Sequence, residues 1–204
     1  MSPRRVVRPL RREEIARATI RCLARDGAGR LTMKQIAREA GVAQGILHYY
    51  FADKRAMLVA ALETVMADLD RRVLQHARGS RDARVRLRAL VRACLATAVT
   101  QRELWIVFVE FWGAMMHDAA LRRVNADLYA RIRRVLAGEV TRGVRAGCFR
   151  PVRADHAAAL ILAVVDGLSL QLTFDPARIS AAVAGRIADD ALARYLAADA
   201  GRRR

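Results

Sequence analysis

Apolar residues recur along this chain at intervals of three and four, and no stretch sustains the two-residue alternation of a half-buried strand. A first helix is predicted from Arg11, with Ile15, Thr19, Cys22 and Leu23 on one side, stopping at Gly27-Ala28-Gly29. Two short helices follow around Gly41, and then a long amphipathic one from Asp53 to about Arg78, carrying Met57, Leu58, Ala61, Leu62, Val65 and Leu69. Gly79-Ser80 breaks it. Further helices are predicted over Arg84–Ala98, Arg102–Met116 and Ala119–Ala146, then from Asp155 as cap to Thr173, and from Asp175-Pro176 to about Ala198. The four prolines, at positions 3, 9, 151 and 176, fall at expected element boundaries. The pattern predicts an all-α protein of about nine helices.

The densest information lies in Leu31–Lys54. Thr32 is placed to cap a two-turn helix whose apolar side is Ile36, Ala37 and Ala40, and Gly41 supplies the left-handed backbone for a sharp reversal. In the next helix Ala43, Leu47 and Phe51 repeat every four residues toward a core. Gln44, Gly45, His48 and Tyr49 are thereby turned outward. Such a face suits the DNA major groove: Gln pairs bidentately with adenine, Gly admits close backbone approach, and aromatic hydroxyls reach phosphates. The bland alternative is a helical hairpin whose aromatics fill a core. Asp53 is placed to cap the following helix.

Charge shifts the balance toward a polyanion. The formal net charge is +17, from 37 basic and 20 acidic residues. Arginine carries nearly all of it, since Lys34 and Lys54 are the only lysines. Such a surplus favours salt-dependent DNA binding, or is simply a solvated surface.

The run Thr32…Ile36-Ala37…Ala40-Gly41-Val42…Gly45…Leu47…Tyr49-Tyr50-Phe51…Lys54 resembles the helix-turn-helix of TetR-family transcriptional regulators over residues 9 to 69. The resemblance implies that Thr32, Lys34, Gln44, Gly45, His48, Tyr49, Tyr50 and Lys54 approach DNA. His48 departs from the tyrosine most frequent there. It also implies an N-terminal three-helix DNA-binding domain (9–69, helix-turn-helix 32–51) and a C-terminal helical ligand-binding and dimerisation domain (70–204). Residues 1–8 read as a basic arm outside the helices, either reaching a minor groove or frayed.

Trp105–His117 is the second dense feature, with Trp105, Phe108, Phe111, Trp112, Met115 and Met116 around much of one helix. An aromatic stripe at this spacing serves either a core or a cavity. The cavity reading gives aromatic faces and Glu110 to receive a cationic effector. Phe111-Trp112, Met116-His117 and Val165-Asp166-Gly167-Leu168 resemble the choline-sensing BetI-type branch of the family. Candidate ligand residues are therefore Trp105, Phe108, Glu110, Trp112, Met116 and Asp166. The last two helices are rich in Ala and Gly, suited either to packing within the chain or, as the resemblance implies, to a homodimer.

Other classes find little support. There is no HExxH, GxSxG or P-loop, so no enzyme, cofactor or metal site is expected. Cys22, Cys94 and Cys148 are odd in number and widely spaced, and are expected as small buried residues. The start lacks an apolar signal region and the longest strongly apolar run, Ala157–Val165, is too short for a bilayer. A cytoplasmic location without membrane insertion is expected. The expected function is a ligand-responsive regulator, most simply a dimeric repressor, whose partners are double-stranded operator DNA and a small-molecule effector. The rival is a basic helical membrane-surface or structural protein.

Overall fold

The computed structural model describes residues 3–76 and 80–197. Residues 1 and 2 of the expected arm, the Gly79 break and the Arg202–Arg204 tail lie outside them. Nine α-helices are found among the described residues: α1 Pro3–Asp26, α2 Met33–Glu39, α3 Gln44–Tyr50, α4 Lys54–His76, α5 Ala83–Thr100, α6 Arg102–Met115, α7 Ala119–Arg145, α8 Ala154–Phe174 and α9 Ala181–Leu196. A single 3₁₀ turn, Ala28–Arg30, follows α1. The chain is divided into two units. The first holds residues up to Asp68 together with Glu103–Ala126; the second holds Leu69–Arg102 and Asp127 onward. This differs from a single boundary near residue 69, because α6 and the start of α7 cluster with the first unit.

In the first unit α1 packs on α2, and α2 on α3. Ile15, Leu23, Ile36, Leu47 and Met57 are fully buried there. Each such side chain contributes about 1.5 to 3 kcal/mol by leaving water, and no single short helix in this unit would persist without it. Helix α1 begins at Pro3 and runs through Pro9, so residues 3–8 continue the helix instead of forming the expected arm.

In the second unit α5, α8 and α9 pack on one another. Asp82 caps α5 by accepting from the Arg84 N–H at 2.8 Å. Glu139 is fully buried and receives Arg86 Nε at 2.7 Å and the Arg142 guanidinium, while Arg86 Nη1 also donates to Ser80 O. Two expected helix starts are corrected. Helix α8 is capped by Arg153, without a side-chain bond, and Asp155 sits in its first turn, paired with the Arg153 guanidinium at 2.8 Å. Helix α9 starts after Ser180, whose hydroxyl accepts from Val183 N–H. Asp175-Pro176 instead opens a turn in which Asp175 O accepts from Arg178 and Ile179 N–H.

Helix α8 is 21 residues long, and by length and composition it is apolar enough to cross a membrane. Counting only Ala157–Val165 is too strict, because Asp166 interrupts a run that continues to Phe174. Helix α8 packs on α5 and α9 with Ala157, Ala158, Ile161, Leu162, Val165, Leu168 and Leu172 buried; Leu160 and Phe174 remain exposed.

Candidate DNA-binding face and effector-binding residues

Helix α2 is held at both ends by its own sequence. Thr32 Oγ1 accepts from Gln35 N–H at 3.2 Å and Gln35 Oε1 accepts from Thr32 N–H at 2.8 Å, a reciprocal capping box. At the other end Gly41 adopts φ +65°, with Gly41 N–H on Arg38 O at 3.2 Å and Val42 N–H on Ala37 O at 3.0 Å. These two bonds form a Schellman motif and satisfy carbonyls that the helix end leaves open. Glu39 ties α2 to α1 by receiving Arg21 Nε at 2.6 Å and Arg25 Nη1 at 3.1 Å, which hold its carboxyl below the usual range.

Helix α3 is anchored by Leu47 and by Phe51 just beyond its end, both buried. Ala43, expected to share that face, is exposed. Gln44, Gly45, His48 and Tyr49 are all exposed, Tyr49 to 64%, and Tyr50 is half-buried edge-on to Tyr49 with ring centroids 5.1 Å apart. A Cβ built on Gly45 would meet nothing within 4 Å, and its φ is not positive. On α2, Lys34 is exposed, and so is Arg38, a cation that sequence reasoning passed over; neither forms an ion pair among the described residues. Lys54 is half-buried, its Nζ donating to Ala28 O at 3.4 Å, and Asp53 accepts from Ala56 N–H at 2.7 Å as expected of a cap. The arrangement presents a short helix by one face, with amide, imidazole and phenol groups outward and cations beside it.

The expected effector residues are divided between the two units. In the first, Trp105 and Phe108 are buried with centroids 5.2 Å apart, and Phe108 meets half-buried Trp112 at 5.4 Å. Trp105 Nε1 is buried without a hydrogen-bond partner among the described residues. Glu110 is exposed, and its carboxylate accepts from Ala28 N–H at 3.3 Å; Met116 is 72% exposed. Neither belongs to the aromatic cluster. Also in this unit, Arg55 forms a two-pronged pair with Asp118 that no local sequence signal announces, their spacing being 63 residues.

Asp166 lies in the second unit, where its Oδ2 accepts from Tyr129 O–H at 2.8 Å. Burial raises its carboxyl to about 6, partly offset by that hydrogen bond. Burial, then the Asp166 charge, holds the Tyr129 phenol protonated and pushes the Cys94 thiol up to about 12. Ser169, one turn along α8, is fully buried and its Oγ has no partner among the described residues. Cys22 is buried as expected, whereas Cys94 and Cys148 are only half-buried.

A helix-turn-helix of this geometry, followed by a helical unit with a half-buried carboxylate, defines a DNA-binding regulator of transcription. Residues 15–61 match the model of bacterial regulatory proteins of the tetR family, and residues 83–197 match that of the BetI-type transcriptional repressor C-terminal domain. The chain belongs to the TetR family of transcriptional repressors. It is 31% identical over 170 residues to the HTH-type transcriptional regulator BetI of Burkholderia thailandensis, covering 83% of this chain and 85% of that one. With the Burkholderia ambifaria protein of the same name it shares 29% over 198 residues, 97% of this chain and all of the other. Among solved structures it is similar to a transcriptional regulator from Saccharomonospora viridis in complex with choline, with a TM-score of 0.83 at 27% identity, covering 91% and 96% of the two chains. A regulator from Pseudomonas aeruginosa PAO1 gives 0.80 at 25%, covering 96% of each.

Proposed function

We propose that this repressor binds operator DNA as a homodimer through the outward face of α3 and releases it when a small cationic effector binds. The DNA contacts are Gln44, Gly45, His48 and Tyr49 toward base edges and the adjoining backbone, with Thr32, Lys34, Tyr50 and Lys54 toward phosphates. The observation that carries this reading is the one-sided burial of α3: Leu47 and Phe51 are buried while Gln44, Gly45, His48 and Tyr49 are exposed on the other side. At Gly45 that face offers bare backbone, which admits close approach of a partner.

For the effector, the groups best suited to a cation are in the second unit. Asp166 is a carboxylate at neutral pH, Tyr129 offers an aromatic ring, and Ser169 Oγ is a buried hydroxyl without a partner among the described residues. A quaternary ammonium bearing a hydroxyl, as in choline, satisfies both kinds of group, and the choline complex of the Saccharomonospora viridis regulator supports that choice. Trp105, Phe108 and Trp112 are kept as ligand residues of the first unit, where Trp105 Nε1 can donate. Glu110 and Met116 stay in that proposal as flanking groups.

Effector binding favours a conformer whose two recognition helices are wrongly spaced for successive major grooves, and repression lapses by differential affinity. The exposed apolar residues of α8 and α9, Leu160, Phe174 and Ile187, fit burial against a second copy. The protein acts in the cytoplasm, where its operator is, with no catalytic role for any residue. Titration calorimetry with choline tests the effector: binding that Asp166→Asn abolishes supports it. A neutral apolar compound releasing DNA while choline does not bind would replace the cation and leave the repressor intact. Retention on anionic vesicles in preference to operator duplex would favour the membrane-surface reading.

A further inference from the structure

The second unit also carries an open groove of about 1160 Å³, set between the start of α5, the loop after α7 and the end of α9. Neither Asp166 nor Tyr129 lines it. Its floor is apolar: Leu87, Phe149, Leu192 and Leu196 are buried, and Val85 lines it while 52% exposed. The floor is also fixed in place, since a Cβ on Gly143 would lie 2.0 Å from the Phe149 ring, so only glycine lets that ring sit there.

The rim is basic, and two of its arginines are tethered by the same atom. Arg84 Nε donates to Cys148 O at 3.3 Å and Arg150 Nε to Tyr195 O at 2.7 Å, while Arg88 Nε lies 3.3 Å from Asp189 Oδ1 as an ion pair. Arg88 and Arg92 share the one carboxylate of Asp189, which cancels one of their two charges. The other lining carboxylate, Asp82, is engaged in capping α5. Arg84 and Arg150 form no ion pair among the described residues; their bonds to backbone carbonyls orient the guanidinium planes without cancelling their charge. Tethering through Nε leaves the paired Nη groups for an anion, and such forks match a carboxylate.

We propose that this groove binds an amphipathic carboxylate, its apolar chain on Val85 and the leucine floor and its headgroup against Arg84 and Arg150. It is a second ligand site with a chemistry opposite to that of the cation at Asp166.

Cys148 lines the groove and serves as the reporter. The intact protein is labelled with N-ethylmaleimide and the rate at Cys148 is read by peptide mapping, with decanoate, decanol or decyltrimethylammonium present below their micelle concentrations. Decanoate at ten times its Kd slows labelling about tenfold by mass action. Decyltrimethylammonium at the same concentration leaves the rate unchanged, and decanol protects more weakly than decanoate. Arg84→Gln and Arg150→Gln each raise the decanoate concentration needed by about tenfold, the loss of a charge-assisted pair. Each variant's unliganded labelling rate is its own reference, and a Tm equal to the parent's verifies that the fold is intact. Absence of protection by decanoate, equal protection by the cation or the alcohol, or unchanged protection in both intact variants overturns the proposal. So does slow unliganded labelling that speeds up on dilution, which assigns the groove to a second copy of the chain.

Discussion

Gly45→Ala separates the demands of the fold from those of DNA. Gly45 is the second residue of α3, exposed, with no positive φ and with nothing within 4 Å of an added Cβ. Within the free protein the substitution therefore removes backbone entropy from the unfolded chain at no steric cost, a gain of about 0.5 to 1 kcal/mol. For a chain of 204 residues that raises Tm by about 1 to 4 °C. If α3 reads the operator as proposed, the same methyl stands between the α3 backbone and the duplex. Pushing that backbone away from one hydrogen-bonding distance costs about 1 to 3 kcal/mol, doubled in a two-fold dimer to about 2 to 6, which is about 30-fold to 10⁴-fold in Kd. Scanning calorimetry and fluorescence anisotropy with labelled operator read the two effects on one sample. A raised Tm with unchanged affinity would refute close approach at this position. A lowered Tm would show that the fold itself requires glycine.

Three further outcomes are expected. Lys34→Ala lowers the slope of log K against log salt by about 0.9 for each phosphate it no longer neutralises, hence by about two units for a dimer; an unaltered slope removes Lys34 from the interface. Asp166 has its folded pKa raised to about 6 by burial, so the stability carried by its protonated form is fully present below about 4, the unfolded value, and is lost as pH rises through about 6. Asp166→Asn flattens the thermal stability profile over that window, while affinity of the parent for a cationic effector rises across the same window; a pH-independent affinity contradicts the carboxylate as its anchor. Leu160→Glu combined with Ile187→Glu, at positions 40% and 44% exposed, yields a folded monomer in sedimentation velocity with weakened operator binding. An unchanged dimer moves the interface elsewhere.

The exposed face of α3 is readable in the sequence because its signals are local. Thr32 three residues before Gln35 makes a capping box, Gly41 ends α2, and Leu47 and Phe51 four residues apart define which side of α3 is buried. Ala43 belongs to the same periodicity but is exposed, since it is the cap of α3 and outside the helical register. Helix ends are harder where two signals compete. Asp175-Pro176 looks like a cap and first helical residue, yet the same pair begins a turn, and Ser180 five residues on captures the start of α9. Partners of high sequence separation leave no trace in the pattern. Tyr129 is 37 residues from Asp166, and Glu110 is 82 from Ala28, so neither the phenol beside the half-buried Asp166 nor the outward anchoring of Glu110 can be read from spacing. The groove beneath Arg84 and Arg150 is illegible for the same reason: its three walls come from α5, the loop after α7 and α9.

The central claim is a two-fold repressor whose α3 face reads DNA and whose grip is loosened by a small cation. Hydroxyl-radical footprinting on fragments selected from the source genome tests it most directly, run with and without choline and repeated with Tyr49→Ala. The account predicts two protected half-sites about one helical turn apart, loss of protection with choline, and a much weakened footprint for the folded variant. Protection without sequence preference, or a specific footprint that Tyr49→Ala leaves intact, would contradict it.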